Sequence, residues 1–409
     1  MGGDARRVGL VVAVGAGVAF VALAVLLVPW HVVPGGPVTD VPARSVFSAR
    51  EIARAEQFSQ WARVWSWSSL GVSLLVAVIL GFTRLGRRLV DRVPGPWWVR
   101  VVGGVALVLL AGRLATLPLA VAARAHLRNY GLSTQSWSGF ASDLARGLAV
   151  EIVVTSVAML VLVGSARRWR RAWPAVAGAV LGGLVLVGSF VYPVVVEPLF
   201  NTFTPLPPSP LRSAVLDLAE REGVPVHDVL VADASRRTTT LNAYVSGFGS
   251  TRRVVLYDTL VEDLPRDQTL SVVAHELAHA RHRDVLVGSL LAGLGVVFAV
   301  GVLGLMAGGS ERRRVRDPRV VPWVLALVAV GSLLASPVQN LVSRQIETRA
   351  DVDALLTTRD AAAFVAVQRQ LALRAASDPT PPAWSQLWFG SHPTVLRRVA
   401  IAERVLPAG

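Results

Sequence analysis

Residues 271–307 read Ser271-Val-Val-Ala-His275-Glu276-Leu-Ala-His279-Ala-Arg-His282-Arg-Asp284, and then at once Val285-Leu-Val-Gly-Ser-Leu-Leu-Ala-Gly-Leu-Gly-Val-Val-Phe-Ala-Val-Gly-Val-Leu-Gly-Leu-Met-Ala307. Two signals abut here. In the first part His275 and His279 stand four apart, so on a helix both imidazoles project from one face. The second part carries no charge and is long enough, as helix, to cross a bilayer core of about 30 Å, which takes about 20 residues. Leu264-Pro265 followed by Ser271, Val272, Val273, Leu277 and Ala278 predicts a helix that carries the His pair and runs on into the span. The fold must therefore deliver a titratable helix to the edge of a membrane.

Working outward, the composition agrees. Of 409 residues 53% are hydrophobic and 17% charged, against about 25% charged in soluble domains, and mean hydropathy is +0.52. That excludes a string of soluble domains and predicts a mainly α, polytopic membrane protein. Seven stretches come close to the length and apolarity of a span: 9–28, 67–82, 101–122, 144–164, 175–196, 285–307 and 320–342. The fourth is the weakest, since it contains Arg146 and Glu151. The first exceeds the about 7–15 residues of a signal-peptide core and lacks a small-residue cleavage site, so it reads as a span. The chain divides into a membrane region over 1–196, a water-facing α+β unit over 197–284, two further spans over 285–342, and a helical tail over 343–409.

The chain has no Cys, which excludes disulfides and thiolate ligands. It also has no Lys, so its net charge of +14 is carried by Arg, a bias that points to a GC-rich, bacterial genome. Nucleic acid is not the partner this charge implies, because the Arg residues cluster between spans. The clusters are Arg6 and Arg7; Arg84, Arg87, Arg88, Arg92 and Arg100; Arg167, Arg168, Arg170 and Arg171; and Arg312, Arg313, Arg314, Arg316 and Arg319. With seven spans all four fall on one side, and the positive-inside rule makes that side cytoplasmic. The N-terminus is then cytoplasmic and the α+β unit outside, in a multi-pass protein of the cell membrane.

In the water-facing unit, Ser209-Pro210 predicts a helix start with Leu211, Val215 and Leu218 on one face and Gly223 as its stop. The β-branched runs 228–232 and 253–257 predict strands. Residues 44–65, with Phe47, Phe58, Trp61 and Trp65 among charges, suit a helix lying at the interface. The tail looks helical, with a break around 378–382.

His275-Glu276-x-x-His279 has the spacing of a metallopeptidase centre. Two imidazoles share a metal, and Glu276, next to the first, is placed to take the proton of a metal-activated water. His282 is a candidate ligand too, but lies on the same short helix, and a third donor from another helix gives a better tetrahedron with one open position. Glu347 and Asp351, four apart just past the last span, offer a carboxylate ligand and a carboxylate that orients a His. The other reading of that segment is a solvated helix end with Arg344 paired to one of the acids.

Taken together, the chain resembles the type I CAAX prenyl endopeptidases, seven-span integral-membrane zinc metallopeptidases. The matching segments are Glu197-Pro-Leu-Phe-Asn-Thr-Phe-Thr-Pro-Leu206, Asn242-Ala-Tyr244 with Gly247, Arg253-Val-Val-Leu-Tyr-Asp-Thr-Leu260, the His275–His279 motif, Ser343-Arg344 with Glu347 and Ala350-Asp351, and Ser391-His392-Pro393. The resemblance implies one Zn2+ per chain on His275, His279 and Glu347, with Asp351 behind them. It implies a substrate peptide paired along Asn242, Ala243 and Tyr244, in keeping with backbone-to-backbone reading of an extended chain. It places His392 near the scissile carbonyl as a donor to the oxyanion; without it, His392 is a tail His capping a helix. It also implies that the spans enclose a water-filled chamber, which accounts for Arg113, Glu151, Gln339 and Asn340 at membrane depth. Arg113 either snorkels or pairs with Glu151.

The expected function is a membrane-embedded zinc endopeptidase acting on peptides or proteins, lipid-modified or membrane-bound, in contact with membrane lipids. Quality-control cleavage of membrane or envelope proteins is the first substrate class, and CAAX-type processing of lipidated C-termini the second. A polytopic transporter or receptor without activity is the competing class; it predicts disrupted ligands, and none of the four motif residues is disrupted.

Overall fold

Apolar sequence in a low-dielectric phase leaves helix as the structure that satisfies its own backbone, and most of the chain obeys. The computed structural model describes residues 2–247, 252–307 and 315–407. Seven helices in it are long and apolar enough to cross a membrane: α1 (Gly2–Leu27), α3 (Ala49–Phe82), α5 (Trp97–Asn129), α6 (Trp137–Arg168), α7 (Trp173–Val195), α11 (Asp284–Met306) and α12 (Val321–Thr358). Short helices α2 (Ala43–Val46) and α4 (Arg84–Asp91) flank the second. The spans form a ring, each packed on the next in the order α1, α11, α7, α6, α5, α3, α12. Val342 of α12 closes it against the cluster of Ala24 in α1, Val28 just past its end and Leu291 in α11.

Close packing in lipid relies on small residues, and α1 crosses α11 where Gly9 meets Gly301 and Gly304. A Cβ on Gly301 would stand 2.5 Å from the Ala13 backbone nitrogen. Neither backbone can yield without parting the helices. Gly301→Val is expected to cost about 1–3 kcal/mol, the usual penalty of overpacking, read as a lower denaturation midpoint of the detergent-purified protein; an unchanged midpoint refutes the close crossing.

Two sequence expectations need correction. Residues 44–65 do not form a separate interface helix. They comprise α2 and the first half of α3, which begins at Ser48 with a capping box to Glu51 and runs unbroken through the second span. At 1.5 Å per residue its 34 residues reach about 51 Å, longer than the bilayer core, so its polar end stands clear of the membrane. The helix with the His pair does not run on into the next span either. α10 (Arg266–Arg281) stops, Arg283 adopts the left-handed conformation at φ 57°, and α11 starts afresh at Asp284.

The α+β unit holds a four-stranded sheet of β1 (Phe203–Pro205), β2 (Asp228–Ala232), β3 (Ala243–Ser246) and β4 (Arg253–Tyr257), in the order β1-β2-β4-β3. β2 and β4 are parallel, with Asp228 opposite Arg253 and Ala232 opposite Tyr257. β1 and β3 flank them antiparallel. The strands at 228–232 and 253–257 match expectation; β1 is too short to carry an alternation signal. α8 (Pro210–Arg221) starts under the Ser209 cap as predicted and ends at Gly223, whose φ of +66° only glycine adopts freely. Val215 and Leu218 of α8 join Val254, Leu256, Leu277, Leu355 and Phe364 in one core. α9 (Asp258–Asp263) leads into α10, which packs across α12. After α12 the tail forms α13 (Ala361–Arg374), α14 (Ala383–Phe389) and α15 (Val395–Val405), broken between the first two as expected.

Three of the four Arg clusters meet at one end of the bundle. Arg171 pairs with Asp4, Asp91 takes both Arg100 and Arg319, and Arg167 donates to the Arg316 carbonyl. Arg312, Arg313 and Arg314 lie outside the described residues.

Candidate metal centre and active site

The site forms where α10 crosses α12. On α10 the i, i+4 spacing brings His275 Nε2 to 3.2 Å from His279 Nε2. From α12, Glu347 places Oε2 3.3 Å from His275 Nε2 and Oε1 3.6 Å from His279 Nε2. Each imidazole is backed on its far nitrogen by a carboxylate: His275 Nδ1 lies 3.0 Å from Asp351 Oδ1, and His279 Nδ1 lies 2.9 Å from Asp284 Oδ2. A neutral imidazole hydrogen-bonded to a carboxylate through Nδ1 keeps its proton there and points a lone pair from Nε2. Two lone pairs and a carboxylate oxygen then face one another, and Glu347 Oε2 is buried without a hydrogen-bond donor. Such a cluster needs a cation, which is a proton on His275 in the metal-free protein and a metal ion when one displaces it. A tetrahedral ion with bonds of about 2.0–2.1 Å separates its ligand atoms by about 3.3–3.4 Å; the His275–His279 and His275–Glu347 distances are close to that, and Glu347 approaches His279 with its other oxygen at 3.6 Å. The three residues thus form a candidate metal site, and among the described residues it is the one such group.

Behind it lies a layer of Arg. Asp351, fully buried, is held by Arg398 of α15, with Nε 2.8 Å from Oδ2. Asp284 is held by Arg349 of α12. Burial alone would lower the His275 pKa, but Asp351 and Glu347 outweigh it and raise the metal-free imidazole to about 10. Burial raises the Glu276 carboxyl above its usual range. Asp351→Asn is expected to weaken metal affinity by about 10–100-fold, the common cost of losing such a partner. Titration against a competing chelator checks it, and unchanged affinity refutes the support role.

His282 is not part of the cluster: its Nε2 is 2.7 Å from Asp353 Oδ2. Arg344 pairs with neither Glu347 nor Asp351 but donates to the carbonyls of Gln386 and Gly390, at 3.1 and 2.6 Å. His392 is brought in from the tail, its Nε2 3.4 Å from Glu347 Oε2 and its Nδ1 2.9 Å from Ser391 Oγ. Asp284, Arg349 and Arg398 went unread in the sequence. Asp284 had a signal, a carboxylate in the first turn of a new helix; the two Arg had none.

All of this opens on one cavity of about 2490 Å³, ringed by the spans. Its wall includes His275, Glu276, His279, Glu347 and His392, and also Asn242, Ala243 and Tyr244. β3 is an edge strand, bonded only to β4 among the described strands, and its residues line the same cavity as the site. The Tyr244 hydroxyl is 3.4 Å from Glu197 Oε2, and burial together with that carboxylate raises its pKa. Deeper in, Arg113 pairs with Glu151 at 3.3 Å on the cavity wall, which settles Arg113 as a pairing residue. Gln339 faces the cavity too, while Asn340 donates to the Trp388 carbonyl at 2.7 Å.

Known proteins are similar to this chain along most of its length. The model for peptidase family M48 matches residues 205–405, and that for the CAAX prenyl protease N-terminal region, five membrane helices, matches residues 50–202. The uncharacterized metalloprotease YhfN of Bacillus subtilis is 28% identical over 90% of this chain and 88% of its own. A CAAX prenyl protease 1 homolog of Oryza sativa is 29% identical over 67% of this chain and 66% of its own length. The crystal structure of S. mikatae Ste24p superposes with a TM-score of 0.80 over 97% of this chain and 99% of that one, at 17% identity, and so shares the fold.

Seven membrane-spanning helices around a cavity, with this site on its wall, define an integral-membrane metallopeptidase. The chain belongs to peptidase family M48, in the group that carries the CAAX prenyl protease N-terminal region.

Proposed function

We propose that the protein is a zinc endopeptidase, with His275, His279 and Glu347 as zinc ligands and Glu276 as general base. The observation that carries the reading is the convergence of two imidazole nitrogens and a carboxylate oxygen, the imidazoles backed by Asp351 and Asp284, on the wall of the cavity. Zinc held there supplies Lewis acidity to the scissile carbonyl and to the attacking water. The chain's own groups do the rest. The free edge of β3 pairs with the substrate backbone through Asn242, Ala243 and Tyr244, reading an extended chain regardless of side chain. Glu276, one residue from His275 and outside the ligand set, takes the proton from water and passes it to the leaving amine. His392, beside Glu347 and held through Nδ1 by Ser391, donates to the oxygen that becomes anionic. Asp351, with Arg398, and Asp284, with Arg349, keep the two imidazoles aimed.

The functional units divide near 196, 284 and 342, with the α+β unit and tail supplying the site. The substrates are membrane or envelope proteins presented as extended, hydrophobic chains. Similarity to proteins named CAAX prenyl protease makes lipid-modified C-termini the second class. Matched peptides, one farnesylated near its C-terminus and one not, separate the two, with Glu276→Gln protein as the blank. Equal cleavage supports general proteolysis; a strong preference for the farnesylated peptide moves the function to C-terminal processing.

The site faces the outside of the cell, because the Arg clusters gathered at the opposite end mark the cytoplasmic side. A reporter active only outside the cytoplasm, fused after Gly409, is expected to be active; a silent reporter reverses the orientation.

A further inference from the structure

Part of the tail beyond the last span packs back against the membrane-spanning helices. α14 reads Ala383-Trp-Ser-Gln-Leu-Trp-Phe389 and carries no charge. Trp388 Nε1 donates to the Leu333 carbonyl of α12 at 3.1 Å, and Asn340 reaches back to the Trp388 carbonyl. Leu333 lies twelve residues and Asn340 nineteen residues into α12, about 18 and 28 Å along the helix at 1.5 Å per residue. Both levels lie within the stretch of α12 that is long and apolar enough to cross a bilayer core of about 30 Å. On its other side α14 meets α3, with Trp67 4.2 Å from Trp384 and 6.2 Å from Phe389 between ring centroids. About one turn up α3, Arg63 pairs with Asp378 at 2.8 Å. Charged anchors above and aromatic rings below mark a water–lipid boundary.

The outward face of α14 is apolar. Trp384, Leu387 and Phe389 are 50%, 45% and 44% exposed, and none of them lines the cavity. This face continues the outer surface of α3, where Leu75 is 59% exposed and likewise lies outside the cavity wall. The open carbonyls at the end of α14 are taken by Arg344 and Asn340, as a helix end in a dry setting requires. Gln386 Nε2 then holds the His392 carbonyl at 2.7 Å. α14 thus fixes the backbone of the residue that stands over Glu347.

We propose that α14 is a membrane anchor whose face of Trp384, Leu387 and Phe389 lies among lipid chains of the leaflet on the site side, and that this seat holds His392 at the metal centre. The seat itself does not depend on the peptidase reading; its effect on turnover does.

The natural chain has no Cys, so single labelling sites are clean. Full-length Leu387→Cys and Phe389→Cys proteins, spin-labelled in phosphatidylcholine–phosphatidylglycerol vesicles, are compared with Leu75→Cys and with Glu220→Cys on the exposed surface of α8. The labels on α14 are expected to favour oxygen over a polar nickel chelate, as the Leu75 label does. Grouping with the Glu220 label overturns the anchor. For the coupling, Leu387→Asp is expected to lower turnover about tenfold, short of the about 10²–10³-fold cost of removing an oxyanion donor outright, with zinc content unchanged. It should lower turnover no further in a His392→Ala background. Unchanged turnover, or an equal loss in both backgrounds, overturns the coupling while leaving the zinc site standing, which metal content reports separately.

Discussion

Glu276→Gln is expected to lower peptide hydrolysis by about 10²–10⁴-fold, the usual weight of a positioned general base, while zinc stays bound at one ion per chain. The substitution keeps the shape of the side chain and removes its basicity. Glu276 shares the cavity wall with His275 and His279, but its carboxylate is not among the converging donor atoms. A base role therefore predicts lost turnover and kept metal. Metal analysis beside the rate measurement checks both, and loss of zinc from this variant would sink the assignment of Glu276 as base.

The second large effect is at Glu347. Truncation to Ala removes one of three donors and leaves His275 and His279, two neighbouring lone pairs on one helix, without the anion that balances a cation. Metal affinity is expected to fall by more than the about 10–100-fold typical of losing an outer partner, and activity with it. The Asp351 and Asp284 pairs remain, so the fold of the α10–α12 crossing should persist by circular dichroism. Metal content equal to that of the natural chain would mean that another group supplies the third donor.

Much of this was legible because it is local. His275, Glu276 and His279 sit within one helical turn and a neighbouring residue, so spacing alone declares them. The seven spans declare themselves by length and hydropathy. Glu347 was different. Spacing left it as either a ligand or a solvated helix end, and only resemblance to known peptidases chose between them; the structure then placed it opposite the His pair. Arg398, 47 residues from the Asp351 it supports, has no local pattern to betray it. Asp284 was hidden by a wrong expectation of continuity: the left-handed turn at Arg283 ends one helix and turns the first carboxylate of the next back onto His279. The error at 44–65 has the mirror cause. Its charges read as the edge of the membrane, when they belong to a helix that outgrows it. α14 escaped because seven residues are too few to register as a membrane segment, and its depth is set by bonds to Leu333 and Asn340 far away in sequence.

The central claim is that one zinc ion on His275, His279 and Glu347 makes this chain a peptidase. Its most direct test is reconstitution: the purified full-length protein is stripped of metal and titrated with zinc while cleavage of an extended hydrophobic peptide is followed. Activity is predicted to be absent from the stripped protein and to return in proportion, reaching its plateau at one zinc per chain. Cleavage that persists without metal, or that zinc does not restore in a protein that has kept its fold, would contradict the account.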